Sequence, residues 1–236
     1  MLKDNIIKAL SDIEIFSKIN NKILEKIACE SKLINLVKGK FLFNQEQLAK
    51  RFYIVVDGSL ALTHLNLDGE ELIVEIAENN DFLQDVFAPS FLVNAKAINN
   101  SQVLAIECLN MIELLKLNPE FSFNFLSKNA QRNHKIFAHL IELKGNNAKF
   151  KVANFLLGLF FDQGQKNKQA LIKYDKSLIA SYLGIKPETL SRILNKLKIE
   201  GEITIKKNLI TFLKIESLCQ YCNQNTSEKC LEKKCL

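Results

Sequence analysis

The run Leu183-Gly184-Ile185-Lys186-Pro187-Glu188-Thr189-Leu190-Ser191-Arg192-Ile193-Leu194 decides how the chain is read. Gly184 supplies a residue without Cβ where a tight turn requires positive φ. Before it, Asp175-Lys176-Ser177-Leu178-Ile179-Ala180-Ser181-Tyr182-Leu183 reads as a short helix that Asp175 can cap. After it, Pro187 opens a second helix, although Lys186 stands at the N-cap, where Ser or Thr is preferred. In that second helix Leu190, Ile193, Leu194 and Leu197 form an apolar stripe. Glu188, Ser191, Arg192 and Asn195 recur at i, i+3, i+4 and i+7 on the opposite side. Such side chains suit base edges, because Arg pairs bidentately with guanine and Glu accepts from the cytosine amino group. Residues from the start of such a helix enter the major groove when a helix-turn-helix docks. Glu202-Ile203-Thr204-Ile205-Lys206-Lys207-Asn208-Leu209-Ile210-Thr211-Phe212 follows as a hairpin, with Lys206 and Lys207 near its tip as phosphate contacts.

Charge supports a polyanion partner for this end of the chain. The net charge of +6 is unevenly placed: up to residue 144 there are 16 Lys/Arg against 18 Asp/Glu, and from 145 onward 16 against 8. Cationic side chains gain free energy by releasing phosphate counterions, so a near-neutral front and a basic back suit a sensor joined to a nucleic-acid reader.

Working toward the N-terminus, residues 118–145 read as one long helix, which Asn118-Pro119-Glu120 starts well. Phe123, Leu126, Ala130, Asn133, Phe137, Leu140 and Lys144 alternate at spacings of three and four, a coiled-coil seam with a polar residue at its middle. That seam predicts dimerisation; Ile136 and Leu143 lie off it and predict a second face packed on the front of the chain. Gly145-Asn146-Asn147 marks a hinge. Upstream the period changes to that of strands: Lys40-Phe41-Leu42-Phe43-Asn44, Phe52-Tyr53-Ile54-Val55-Val56, Leu60-Ala61-Leu62-Thr63-His64-Leu65, Leu72-Ile73-Val74-Glu75-Ile76, Val103-Leu104-Ala105-Ile106 and Met111-Ile112-Glu113-Leu114-Leu115. Asp57-Gly58-Ser59 and Asp68-Gly69 punctuate them. Many short strands predict an antiparallel sandwich, roll or barrel. Residues 1–34 return to helical spacing, through Ile6, Leu10, Ile13, Phe16, Ile23 and Ile27.

The 183–194 run resembles the helix-turn-helix of the CRP/FNR superfamily. Phe52-Tyr53-Ile54-Val55-Val56-Asp57-Gly58, Asp68-Gly69-Glu70-Glu71 and Asn80-Asp81-Phe82-Leu83 resemble that family's cyclic-nucleotide-binding-type β-roll, so the likeness covers residues 5–215. It implies an α+β fold: a β-roll sensor domain with N-terminal helices over 1–117, a dimerisation helix over 118–145, a winged helix-turn-helix over 146–218 and a cysteine-rich tail over 219–236. Glu188, Ser191 and Arg192 are similar to the FNR-type readers of a TTGA-containing half-site, whereas the CRP type has Gly before the Arg. The resemblance implies a homodimer on a two-fold symmetric operator and contact with RNA polymerase.

Family members that sense a nucleotide hold the cyclic phosphate with a Gly-Glu pair and, farther on, an Arg-Ser or Arg-Thr. Here the matching pair is Gln84-Asp85, the downstream stretch is Phe91-Leu92-Val93-Asn94-Ala95-Lys96, and no Arg stands between Arg51 and Arg132. A phosphodiester needs a charged donor and close backbone approach, so cyclic AMP is disfavoured, with Lys96 the one substitute donor. Cys29 and Cys108 sit in apolar contexts and read as small buried hydrophobes. Cys219, Cys222, Cys230 and Cys235 instead crowd the C-terminus as C-x2-C-x7-C-x4-C. Clustered thiols in a reducing compartment point to metal, and four thiolates suit an iron–sulfur cluster or tetrahedral zinc. One branch of the family is similar in carrying its cluster on C-terminal cysteines, with three thiolates and a carboxylate; this tail has four thiols at other spacing. Free redox-active thiols remain open, as does haem on His64, His134 or His139, since some nitric-oxide regulators of the family also lack the nucleotide pocket.

Other classes fare worse. The β-region holds one His where a cupin-like oxygenase needs two with a carboxylate, and no P-loop, Rossmann glycine pattern or nucleophile elbow is present, so no enzyme is expected. A metal-binding redox protein with a vestigial DNA head is the remaining rival. The longest uninterrupted apolar stretch, residues 155–161, is too short to span a bilayer, and Met1-Leu2-Lys3-Asp4 opens no signal-peptide core, which predicts a cytoplasmic protein without a membrane partner.

Overall fold

A computed structural model describes residues 2–67, 69, 71–145, 147–164 and 167–221, and the chain divides into two compact units, Met1–Phe137 and Ala138–Leu236. Among the described residues no helix is long and apolar enough to cross a membrane.

The first unit opens with α1 (Leu2–Asp12), a single turn at Glu14–Phe16 and α2 (Asn21–Glu30), whose Asn20 cap accepts from the Lys22 N–H. Seven strands follow: β1 (Lys32–Leu36), β2 (Phe41–Phe43), β3 (Arg51–Asp57), β4 (Leu60–Leu65), β5 (Glu71–Ala77), β6 (Asn94–Ala97) and β7 (Ser101–Glu107). They pair antiparallel in two sheets, ordered β1-β7-β3 and β2-β6-β4-β5. Alternation along β3 serves two cores. Phe52 and Ile54 face the helices, with Leu10, Phe16 and Phe121, while Val55 faces inward with Leu60, Leu62 and Ala95. At the β3–β4 turn Gly58 adopts φ +88°, and a Cβ there would lie 2.7 Å from the Asn100 carbonyl, so only glycine fits.

Two expectations for this unit are corrected. Lys32 and Leu33 begin a strand instead of prolonging the N-terminal helices. Residues 111–115 are not a strand but lie in α3 (Cys108–Leu117), which buries Met111 and Leu114; a short apolar run suits either period until packing selects one. The Asn118 side-chain amide donates back to the Leu114 carbonyl at 3.2 Å, closing α3.

The long helix α4 (Pro119–Gly145) begins in this unit. Phe121 and Phe125 insert among aromatic rings, with Phe121 stacked on Phe16 at 5.3 Å and Phe125 on Phe82 at 5.2 Å. Farther along, the Arg132 guanidinium meets the Glu75 carboxylate of β5 at 2.7 and 3.0 Å, with both side chains nearly buried. Burial pushes the Glu75 carboxyl up, and the Arg132 charge opposes that push without cancelling it.

The second unit takes residues 138–145 of α4, then α5 (Ala148–Leu159) running into a π-helical turn at Phe160–Gly164, β8 (Gln169–Leu171), α6 (Lys176–Tyr182), α7 (Pro187–Ile199), β9 (Ile203–Lys206), β10 (Leu209–Phe212) and α8 (Ile215–Cys219). Asn147 caps α5 by accepting from the Phe150 N–H. The strands form one antiparallel sheet ordered β8-β10-β9, so the hairpin carries a third strand. Leu156, Ile179, Leu190, Leu194 and Phe212 meet in its core.

Candidate nucleic-acid interface

The reading head is assembled by local rules. Asp175 caps α6, accepting from the Leu178 N–H at 3.1 Å. Gly184 takes φ +59°, and a Cβ there would come within 2.9 Å of Leu143 Cδ2, so the turn needs glycine for conformation and for space. Pro187 stands at the first helical position of α7, while Lys186 precedes it without a side-chain cap. Leu190, Leu194 and Leu197 are buried, which presents the opposite face of α7 outward. On that face Glu188, Arg192 and Asn195 are exposed and Ser191 is half-exposed. Among the described residues Arg192 carries no ion pair, and its fork is open to an acceptor pair. The β9–β10 hairpin turns at Lys207, with φ +53°, and exposes Lys206 and Lys207. One element thus carries the four candidate base-reading side chains, and one hairpin carries the two lysines.

Phe123, Leu126 and Phe137 are 71, 63 and 66% exposed, Ala130 and Asn133 are exposed, and Leu140 is half-buried. Exposed aromatic and leucine side chains in such a row are unusual for a helix of a monomer. The second face differs from expectation. Phe121, Phe125 and Arg132 carry it toward the sheets, whereas Leu143 belongs to the second unit and lies against Gly184.

The position of a nucleotide phosphate clamp is occupied by other bonding. Gln84 is buried, and its amide donates to the Arg51 carbonyl. Asp85 accepts from the Phe87 N–H at 3.0 Å, and the Lys96 ammonium lies over the Phe41 ring at 5.3 Å. Phe91 stacks on Phe43 at 3.8 Å within the roll.

Of the tail cysteines, Cys219 lies half-buried at the end of α8, while Cys222, Cys230 and Cys235 lie outside the described residues. The root of the tail rests on α5: Leu218 is fully buried, the Tyr221 ring meets Phe150 edge-on, and the Lys149 ammonium lies over Tyr221 at 5.2 Å. Among the described residues no three His, Cys, Asp or Glu side chains converge as metal ligands. Cys29 is exposed, contrary to expectation, because it falls on the outer side of α2. Cys108 is half-buried with its thiol pushed up, first by burial and then by the Glu107 charge. The three imidazoles are dispersed. His64 bonds the Leu92 carbonyl, His134 is exposed, and His139 is buried and stacked on Tyr182.

Sequence reasoning missed a polar cluster behind the turn. Lys151 of α5 is 7% exposed and donates to the Leu143 carbonyl at 2.8 Å, while Asn154 donates to Glu142 at 2.6 Å. The signal available was a Lys and an Asn within the otherwise apolar helix Phe150-Lys151-Val152-Ala153-Asn154-Phe155.

Two family models match the chain, one described as a cyclic nucleotide-binding domain over residues 33–118 and one as a Crp-like helix-turn-helix domain over residues 151–221. The chain is similar to the anaerobic regulatory protein of Bacillus subtilis, at 22% identity over 90% of this chain and 93% of that protein. It is also similar to the nitrogen fixation regulation protein FixK of Bradyrhizobium diazoefficiens, at 28% identity over 76% of this chain and 77% of that protein. The solved structure of FixK2 from Bradyrhizobium japonicum superposes with a TM-score of 0.73 at 20% identity, covering 82% of this chain and 98% of that one, a likeness of fold. With the sensor-type β-roll and the helix-turn-helix both matched in the family's order, the chain belongs to the CRP/FNR family of DNA-binding transcription regulators.

Proposed function

We propose that the protein is a homodimer that reads a two-fold symmetric operator with α7. The outward row Glu188, Ser191, Arg192 and Asn195 carries this reading, because its side chains suit base edges and none is needed for the core of the head. Lys206 and Lys207 contact phosphates and set register. The exposed seam through Phe123, Leu126, Ala130, Asn133, Phe137 and Leu140 pairs with its copy on a second chain, which places two heads on TTGA-containing half-sites and leaves other surfaces for RNA polymerase. The test is a fluorescence-anisotropy titration of the full chain on a duplex with two such half-sites against a scrambled duplex. Preferential binding by a dimer supports the reading; equal binding to both duplexes sinks it.

The signal is redox, oxygen or nitrosative, received by the C-terminal thiols. Two observations support this: the spacing of Cys219, Cys222, Cys230 and Cys235, and the similarity to a relative named for anaerobic regulation. An iron–sulfur cluster on such thiolates would supply a centre that oxygen or nitric oxide removes. Gln84 and Lys96, engaged with the Arg51 carbonyl and the Phe41 ring, favour a sensor that is not gated by cyclic AMP. Anaerobic purification with a visible spectrum and iron, sulfide and zinc analysis tests this part. Iron with acid-labile sulfide that air bleaches is expected. Regulated transcription unchanged by replacing all four tail cysteines with Ser would overturn it.

A further inference from the structure

The strongest unexplained feature is a lysine in the core of the second unit. Lys151 is buried beside the fully enclosed Val152 and Ala153, and lysine is rarely placed so unless its charge is met. Its ammonium donates to the Leu143 carbonyl at 2.8 Å, in the last turn of α4. Carbonyls there lack intrahelical partners and bear the negative end of the helix dipole, so a buried cation suits that place. Glu142, on the same turn, accepts from Asn154 at 2.6 Å, and Lys151 lowers the cost of its burial. A Cβ on Gly184 would stand 3.8 Å from the Lys151 ammonium and 2.9 Å from Leu143. The ammonium therefore sits where the end of α4, the start of α5 and the turn of the reading head meet. One helical turn earlier His139 stacks on Tyr182 of α6, a second contact between the end of α4 and the reading head.

A hydrophobic residue at 151 would fill the space at less desolvation cost, but it could not fix the direction of the contact. Hydrogen bonds to a helix end orient, whereas apolar packing tolerates sliding. We propose that Lys151, with Glu142 and Asn154, is a positioning group that fixes the reading head on the end of α4 and thereby sets which half-site spacing the protein accepts. The inference rests on the dimeric operator-reading account, in which each head can address only a half-site that its α4 allows it to face.

The experiment measures affinity of the full chain for duplexes whose two TTGA-containing half-sites are separated by the best spacing, or by one or two base pairs more or fewer. Wild type should lose at least about tenfold in affinity on leaving its best spacing, because its heads are held in one orientation. Lys151→Met should flatten that profile to within about threefold while its preference for TTGA over a scrambled half-site persists, since α7 itself is untouched. Glu142→Gln keeps the shape and removes the charge facing the ammonium; it should flatten the profile in part, and it decides the matter if Lys151→Met does not fold. A sharp wild-type profile retained by whichever of these variants folds overturns the positioning role and leaves the operator-reading account standing. A wild type that does not prefer the two-half-site duplex to a scrambled one overturns that account and the positioning role with it.

Discussion

The imidazole of His139 lies flat on the ring of Tyr182, with centroids 4.0 Å apart and planes within 5°. The two rings come from α4 and α6, so the stack joins the last turns of the long helix to the first helix of the reading head within one compact unit. His139→Ala should cost about 1–3 kcal/mol through the lost ring contact and the cavity left behind. Urea denaturation of the full chain checks this, and His139→Phe should recover most of the loss because it keeps a flat ring at that place.

The α4 seam makes a separate prediction. Replacing Leu126 and Phe137 together with Glu puts like charges on facing positions of a two-stranded seam and should yield monomers in sedimentation velocity. Both side chains are exposed in the single chain, so thermal stability of the monomer should change little. Affinity for a two-half-site duplex should fall by more than about a hundredfold as one anchoring head is lost. A double variant that remains dimeric would place the interface elsewhere.

The Arg132–Glu75 pair gives a pH signature. Arg132→Met leaves a nearly buried carboxylate without its cation and should cost about 3 kcal/mol at neutral pH. Glu75 already sits above the usual carboxylate range through burial, and removing the cation raises it further. A carboxyl whose folded pKa is raised favours the folded state when protonated, and that stability is lost as pH rises through the folded pKa. The deficit of Arg132→Met against wild type should therefore shrink on acidification, as Glu75 takes up its proton at a higher pH than an ordinary carboxyl does. Melting curves at pH 5 and 7.5 decide it; an equal deficit at both would remove Glu75 from the account. Glu75→Gln combined with Arg132→Met should restore much of the loss.

Thiol reactivity should rank by exposure and charge state. With the four tail cysteines replaced by Ser, a thiol reagent at neutral pH should modify Cys29 quickly and Cys108 slowly. Cys29 is exposed, while Cys108 is half-buried, bonded to the Ala49 carbonyl, and held protonated by burial and by Glu107. Equal rates in a timed labelling experiment would contradict this placement of α3.

The reading head was legible because its determinants are local: Asp175 caps, Gly184 turns, Pro187 starts, and the α7 stripe repeats with the helix period. Residues 111–115 fit a strand pattern as well as a helical one, and only burial of Met111 and Leu114 on the inner side of α3 selects the helix. Strands β6 and β8 escaped notice because Asn94-Ala95-Lys96-Ala97 and Gln169-Ala170-Leu171 are short and carry no β-branched residue; their partners define them. Leu143 lies against Gly184 and not on the front of the chain, because α4 runs through both units and periodicity shows a face without showing what covers it. Lys151, Glu142 and Asn154 leave no periodic trace at all, since their pairing is a matter of distance across the fold.

Base reading by α7 is tested with Arg192→Ala, titrated on a duplex with two TTGA-containing half-sites and on the same duplex with each half-site guanine exchanged for adenine. If α7 reads bases, wild type should prefer the guanine duplex, and the variant should lose about 1–3 kcal/mol on it while becoming nearly indifferent to the exchange. Lys207→Ala should weaken both duplexes alike and reduce the salt dependence. An Arg192→Ala protein that discriminates guanine from adenine as well as wild type does would show that the outward face of α7 is not the reading surface.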